Sequence, residues 1–268
     1  ELRRFDVPLE PNERRVDRVS RQALRIRQGF PQRRDDSLAP LDERLFGRVP
    51  PGCWLPECAY RPRGAWAPWP SGPRAVMRAG IEEHLEDAGY QFVVVDSHLA
   101  RAGRPLEAYH VAAVAGVTPR GGAFRSPYRD YAIGTRPNAV RALVRDPAST
   151  HHVWSRDDGY PGGSAYAEFH KLRFPGGLKL WEVTGARVPL GGKRPYDPAR
   201  ARALAGEHGN HFAELLDGIA RGRPSAADGV IVAPFDSELF GHWWFEEPDF
   251  LADTYRALHR QHAVRAVR

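Results

Sequence analysis

Apolar residues along this chain come in short runs, and three of those runs end alike. Pro51-Gly-Cys-Trp-Leu-Pro-Glu57, Tyr90-Gln-Phe-Val-Val-Val-Asp96 and Gly229-Val-Ile-Val-Ala-Pro-Phe-Asp236 each pass through a few apolar positions and stop on a carboxylate. The second and third are rich in Val and Ile without polar alternation, the pattern of a strand covered on both faces in a parallel sheet. Helical periodicity lies near them. Val76, Met77, Ile81 and Leu85 share one face of a helix predicted over Arg74–Ala88, with Gly89 placed to close it. Asp197-Pro198 is an N-cap followed by proline in the first turn, predicting a helix to about Arg221, and a last helix is predicted from Phe250 to about Arg265. Helices alternating with such strands predict an α/β fold.

Two stretches lack this patterning. Residues 1–47 are crowded with Arg, Asp and Glu and hold few large apolar side chains; one short amphipathic helix over Val16–Ile26 is predicted in an otherwise loosely ordered lead-in. Residues 48–268 then form one domain. Within it, Gly103–Pro198 is rich in Gly, Pro, Tyr and Trp, as in RGGAFRSPYRDY and HHVWSRDDGYPGGSAY, the texture of a long loop-rich insertion rather than of packed core. No internal repeat is present.

Composition narrows the class. At 268 residues and 42% hydrophobic content the chain can bury a sizeable core. It has no apolar run of about eighteen residues and no signal-peptide pattern, so a soluble cytoplasmic protein without a membrane partner is expected. The net charge of +6 raises the question of nucleic acid. The basic residues are almost all arginine and are scattered rather than striped, so no nucleic-acid partner is expected. Cys53 and Cys58 make neither a disulfide framework nor a zinc site, and His151, His152 and His242 lack ligand spacing. No metal and no cofactor are expected.

The carboxylates carry the chemistry. In barrels of parallel strands, catalytic side chains project from the C-terminal strand ends, where Glu57, Asp96 and Asp236 are predicted to stand. One such acid is explained by capping of the next turn; three at matching positions beside aromatic residues point to a site. Paired carboxylates suit glycoside chemistry, one attacking or activating while the other protonates the leaving oxygen. Sugars also present C–H faces that stack on aromatic rings, which Trp54 beside Glu57, and Trp243 and Trp244 beyond Asp236, can supply. Adjacent Trp243 and Trp244 cannot share one strand face, so at least one belongs to the core. His242 is placed to hydrogen-bond a sugar hydroxyl or an acid. There is no Gly-x-Ser-x-Gly elbow, phosphate loop or dinucleotide fingerprint.

CWLPECAYRP (Cys53–Pro62) and APFDSELFGHWWFE (Ala233–Glu246) resemble the catalytic motifs of glycoside hydrolase family 57, and FGHWWFE resembles its 1,4-α-glucan branching enzymes in particular. The resemblance continues through VVVDSH, FRSPYRDY, VWSRDDGYPGGSAYAEFHK and PYDP, and covers roughly residues 48–260. It implies a parallel (β/α) barrel of the incomplete seven-stranded type, an α-1,4-glucan substrate and no metal or organic cofactor. Residue by residue, it implies that Glu57 is the nucleophile, Asp236 the general acid/base and Trp154 a glucan-stacking ring. Trp54, Asp96, His98, Tyr160, His242 and Trp243 complete the candidate substrate-binding set. The implied reaction is retaining transfer of a glucan segment to a 6-hydroxyl, with 4-α-glucanotransferase, amylase or silent glucan binding as alternatives. Retention calls for carboxylates about 5–5.5 Å apart and for an Asp236 pKa raised by burial and by the charge of Glu57. Water exclusion calls for a lid, expected at about Gly116–Tyr131. The family's histidine motifs are not seen before Glu57, so a barrel truncated on its N-terminal side is expected, weak by itself and with a sheet edge exposed near Pro51–Glu57.

Overall fold

A computed structural model describes residues 43–45, 47–48, 50–66, 76–100, 125–134, 137, 139–223, 229–261 and 264–267. The Val16–Ile26 helix and most of the expected lid lie outside the described residues. The chain divides into two compact units: Glu1–Val95 with Tyr131–Ala142, and Asp96–Asp130 with Leu143–Arg268.

The larger sheet is built on β1 (Gly52–Trp54), β4 (Phe92–Val95), β5 (Asp130–Ala132) and β6 (Arg141–Val144), in the order β1-β4-β6-β5. β1 runs parallel to β4, pairing Cys53 with Val93 and Trp54 with Val94. Val93, Val94 and Val95 are consecutive and all buried, so β4 is covered on both faces as its unbroken apolar run predicts. Gly52 is required opposite Phe92, because a Cβ there would run into the Phe92 ring. β1 is an edge strand among the described residues. The described strands form this sheet and a separate ribbon, not a closed barrel.

The helix predicted over Arg74–Ala88 is shorter than its periodicity suggests. Val76–Arg78 is instead strand β3, paired antiparallel with β2 (Gly64–Trp66) and exposed along its length. Helix α1 occupies only Ile81–Asp87. The break is at Gly80, which is extended (φ −75°, ψ 159°) and donates its N–H to Glu83 Oε1 at 2.9 Å, so the side chain three residues on starts the helix there. Gly89, at φ +84°, closes the turn after α1 as expected.

In the second unit, α2 (Pro147–Trp154) is capped by Asp146, which accepts from Ser149 N–H at 2.6 Å. α3 (Pro198–Arg221) begins and ends where predicted, with Asp197 accepting from the N–H groups of Ala199 and Arg200 at 2.9 and 3.2 Å. α4 (Glu247–Arg260) starts earlier than predicted, with Pro248 in its first turn, and stops at Gln261, where the backbone becomes extended. α3 and α4 approach closely at Gly209, where a Cβ would lie 2.8 Å from the Phe250 carbonyl oxygen. The core gathers Phe212, Leu216, Trp244, Phe250 and Leu258 with Val153, Tyr160 and Tyr166. The last three come from the stretch expected to be loop-rich insertion, so part of it is core. The tyrosines can be buried because α3 offers partners for their hydroxyls: Tyr160 with His211 Nδ1 at 2.7 Å and Tyr166 with His208 Nδ1 at 2.8 Å. Burial, with the charge of His211, pushes the His208 pKa down to about 4.

The third acid-terminated run differs from its prediction. Val230–Phe235 is only half-buried; among the described residues it forms one β-bridge, Val232 parallel to Arg145 with Asp146 N–H donating to the Val232 carbonyl at 2.7 Å, and Val230 N–H donates to the Tyr128 carbonyl at 3.2 Å. Pro234 has no N–H to carry a ladder further. Among the described residues no helix is long and apolar enough to cross a membrane, and no group of three His, Cys, Asp or Glu could hold a metal ion.

Glu247 opens α4 fully buried, and neither carboxyl oxygen has a hydrogen-bond partner among the described residues. Burial pushes its pKa up to about 8, so the folded protein holds it neutral at pH 7. The unfolded chain ionises near the ordinary value of 4.5, so the stability this neutral group supports is complete below that pH and is lost as pH rises to about 8. Glu247→Gln has no proton to lose. Relative to the parent, its stability is expected to rise by roughly 4 kcal/mol between pH 4.5 and 8, as read from denaturant titrations at both ends. Parallel pH profiles would contradict the assignment.

Candidate active site

Glu57 stands on a tight turn after β1. Leu55 and Cys58 are buried on either side of it while Glu57 itself is exposed. Backbone N–H groups of Cys58 and Ala59 donate to the Leu55 and Pro56 carbonyls at 2.9 and 3.0 Å, winding the turn. Glu57 and Cys58 both adopt left-handed backbone, φ 54° and 49°. Each such residue costs about 1–3 kcal/mol, a strain that persists only where the surroundings impose it and that clusters at functional sites. Trp54 contributes to that restraint: it is half-buried and its indole Nε1–H donates to Cys58 Sγ at 2.9 Å. Neither cysteine is in a disulfide, and burial pushes the Cys53 thiol up to about 11, which keeps it protonated.

Asp96 follows β4 directly and is 2% exposed. Its Oδ1 accepts from the His98 backbone N–H at 2.9 Å and lies 2.6 Å from His98 Nδ1, and its Oδ2 accepts from Arg145 Nη2. Burial by itself would raise this pKa, but the two His98 hydrogen bonds and the Arg145 guanidinium outweigh it and hold the carboxyl below its ordinary value. Arg145 is buried too and follows β6, so the pair is a desolvated ion pair with supporting hydrogen bonds.

Asp236 begins a compact loop in the second unit. Leu239 N–H donates to the Asp236 carbonyl at 3.1 Å, Trp244 N–H to the Leu239 carbonyl at 3.0 Å, and Gly241 supplies a left-handed position at φ 78°. Leu239 and Trp244 anchor the loop in the core, leaving Asp236, Ser237, Glu238, His242 and Trp243 exposed. Partial desolvation and the Glu238 carboxylate raise the Asp236 pKa, with Arg145 opposing them. The direction matches the expectation, although the like charge acting here is Glu238.

The tryptophans separate as their adjacency requires. Trp244 is 2% exposed and Trp243 is 46% exposed. Trp243 stacks on Phe169 with centroids 4.3 Å apart, Lys179 lies 4.1 Å over the same Phe169 ring, and the His242 ring meets both aromatics edge-on. Trp154 ends α2 half-buried and packs against the core. Tyr160, expected to contact sugar, is 5% exposed with its hydroxyl on His211, so its ring is a core element without a free stacking face.

Glycosyl hydrolase family 57 matches this chain over residues 39–267. The chain belongs to that family. It is 38% identical over 221 residues to a 1,4-alpha-glucan branching enzyme of Thermococcus kodakarensis, covering 82% of this chain and 31% of that protein. It is 34% identical over 232 residues to a probable 1,4-alpha-glucan branching enzyme of Mycobacterium tuberculosis, covering 83% of this chain and 35% of that protein. The chain thus spans about a third of the length of the curated relatives it matches. Among solved structures, the family 57 branching enzyme of Thermococcus kodakaraensis in complex with glucose superposes with a TM-score of 0.69 at 38% identity, over 83% of this chain and 39% of that one. The alpha-amylase AmyC of Thermotoga maritima gives 0.61 at 26% identity, over 85% of this chain and 41% of that one.

Sequence reasoning named Glu57, Asp96, His98, Asp236, His242 and Trp243, all of which belong to exposed turns or to the ion-pair network just described. Glu57 belongs to the first unit; the other five belong to the second. It missed Arg145, whose signal is the run Arg141-Ala-Leu-Val-Arg-Asp146, an apolar strand ending on a charged pair. Phe169 carries no such signal, because only folding brings it to Trp243.

Proposed function

We propose that this chain carries the two carboxylates of a retaining α-glucan branching reaction, performed by the family 57 fold to which its sheet belongs as part of an incomplete seven-stranded barrel. Glu57 attacks the anomeric carbon of an α-1,4 linkage as Asp236 gives its proton to the departing glycosidic oxygen, forming a glucosyl ester on Glu57. Asp236, now ionised, takes the proton from the 6-hydroxyl of a second chain, whose oxygen displaces Glu57 and forms an α-1,6 bond. Two inversions leave the α configuration unchanged. The observation that carries this reading is the exposed presentation of Glu57 on strained, left-handed backbone. The upward direction of the Asp236 pKa, caused by burial and Glu238, and the branching activity for which the relatives are named support it.

Incubation with amylose tests it: new α-1,6 linkages are expected to outnumber new reducing ends. Reducing ends alone would favour hydrolysis, a reading to which the likeness to the Thermotoga maritima amylase lends weight, since the same two carboxylates serve either acceptor. Trp154 enters as a stacking ring for glucan. Trp154→Ala is expected to weaken maltohexaose binding about tenfold, or about 1.4 kcal/mol. Its stability cost should stay below the roughly 3–5 kcal/mol of a fully buried tryptophan. Calorimetric binding beside thermal melts reads both, and a loss confined to stability would make Trp154 a core residue only.

A further inference from the structure

Three groups in the second unit form a chain from the interior outward. Arg145 is buried and holds Asp96 Oδ2. Asp96 offers Oδ1 to the His98 N–H and ring, and Ser97 Oγ lies 3.4 Å from the same oxygen. The His98 side chain is 40% exposed, against 3% for Asp96. Both Asp96 oxygens are therefore committed to protein donors, and the group this network presents outward is the imidazole. An ionised carboxylate 2.6 Å from Nδ1 requires the proton on that nitrogen, which assigns the tautomer and leaves the lone pair of the neutral ring on Nε2. Held at its backbone N–H and at its ring, His98 is restrained as a hydrogen-bond acceptor on an outer face.

Arg145 also fixes where this network stands. Besides holding Asp96, it forms a parallel β-bridge with Val232 in the segment that leads to Asp236, so the Asp96–His98 network and that segment flank the same strand end. In the reaction above, the sugar nearest Asp236 is first the leaving group and later the acceptor. We propose that His98 Nε2 accepts a hydrogen bond from a hydroxyl of that sugar and so favours a glucan acceptor over water, with Asp96 and Arg145 as the positioning residues behind it. The inference rests on the branching reading and adds to it the residue that sets the balance between transfer and hydrolysis. The physical reason is simple. Water reaches the glucosyl ester without being bound, whereas a glucan acceptor must be held, so loss of one hydrogen bond to the acceptor penalises transfer selectively.

The test is the ratio of new α-1,6 linkages to new reducing ends on amylose, measured for the parent, His98→Ala and His98→Gln. His98→Ala is expected to lower the ratio about three- to tenfold, the worth of one hydrogen bond, with the melting temperature unchanged because the side chain is largely outside the core. His98→Gln, whose Oε1 can accept the same bond, is expected to recover part of the ratio. Asp96→Asn should shift the ratio in the same direction without touching sugar, and if removing that charge beneath Arg145 prevents folding, the His98 pair still decides the matter. An unchanged ratio in His98→Ala, with the parent active, would overturn this inference alone. A parent that forms neither α-1,6 linkages nor reducing ends would overturn the branching reading and this inference with it.

Discussion

Glu57→Ala is expected to reduce turnover of amylose by a factor on the order of 10⁴ or more, because it removes the group that forms the covalent intermediate. The loss by itself does not separate a nucleophile from a residue that shapes the site, so the informative readout is rescue. With α-glucosyl fluoride as donor, azide can enter the space left by the Glu57 carboxylate and attack the anomeric carbon while fluoride departs. That single inversion gives β-glucosyl azide. The turn should survive the substitution, since its anchors are Leu55, Cys58 and the Trp54–Cys58 hydrogen bond rather than the exposed Glu57 side chain. An unchanged melting temperature together with β-glucosyl azide would assign the role. Rescue giving the α-azide, or activity within about tenfold of the parent, would remove Glu57 from the reaction.

Asp236→Ala is expected to cost about 10²–10⁴ in turnover of amylose, the usual contribution of a positioned general acid/base. The cost should depend on the leaving group. Fluoride departs without a proton, so α-glucosyl fluoride should still glucosylate Glu57 in this variant, and the ester should then accumulate for want of a base. Azide needs no base and should turn it over with a second inversion, giving α-glucosyl azide. The two variants therefore predict opposite anomers from one donor and one nucleophile, a pattern that damage to folding cannot imitate. In the parent, the raised pKa of Asp236 should appear as the alkaline limb of the pH–rate profile, and Glu238→Gln, by removing a neighbouring negative charge, should move that limb to lower pH.

How far these features were legible in the sequence follows from what sets each of them. β4 was legible because three successive buried valines need no alternation. Both ends of α3 were legible because Asp197, Pro198 and Gly222 are local signals, satisfied within a few residues of where they stand. α1 was overextended because Val76 and Met77 fit its helical period, yet they lie on an exposed antiparallel ribbon whose pairing with β2 no short-range pattern encodes. The weak pairing of Val230–Phe235 was concealed by β-branched composition, which records suitability for a strand rather than the presence of a partner. Glu57, Asp236 and Trp243 could be named from motif resemblance, and the burial of one of two adjacent tryptophans from geometry alone. Tyr160 was placed on the wrong side of that divide, since whether a tyrosine faces sugar or core depends on a distant partner, here His211 on α3. The Arg145–Asp96 pair escaped notice for the same reason: its members are far apart in sequence and meet only in the fold.

The central claim is that Glu57 becomes covalently glucosylated. The direct measurement is to incubate the protein with 5-fluoro-α-glucosyl fluoride, whose ring fluorine slows breakdown of the ester more than it slows formation, and to map the adduct by peptic digestion and mass spectrometry. The account predicts one fluoroglucosyl group per chain, on the peptide containing Trp54-Leu-Pro-Glu57 and on Glu57 itself, with the adduct lost when a glucan acceptor is added. An adduct on another carboxylate, or continued turnover of the reagent with no adduct on Glu57, would contradict it.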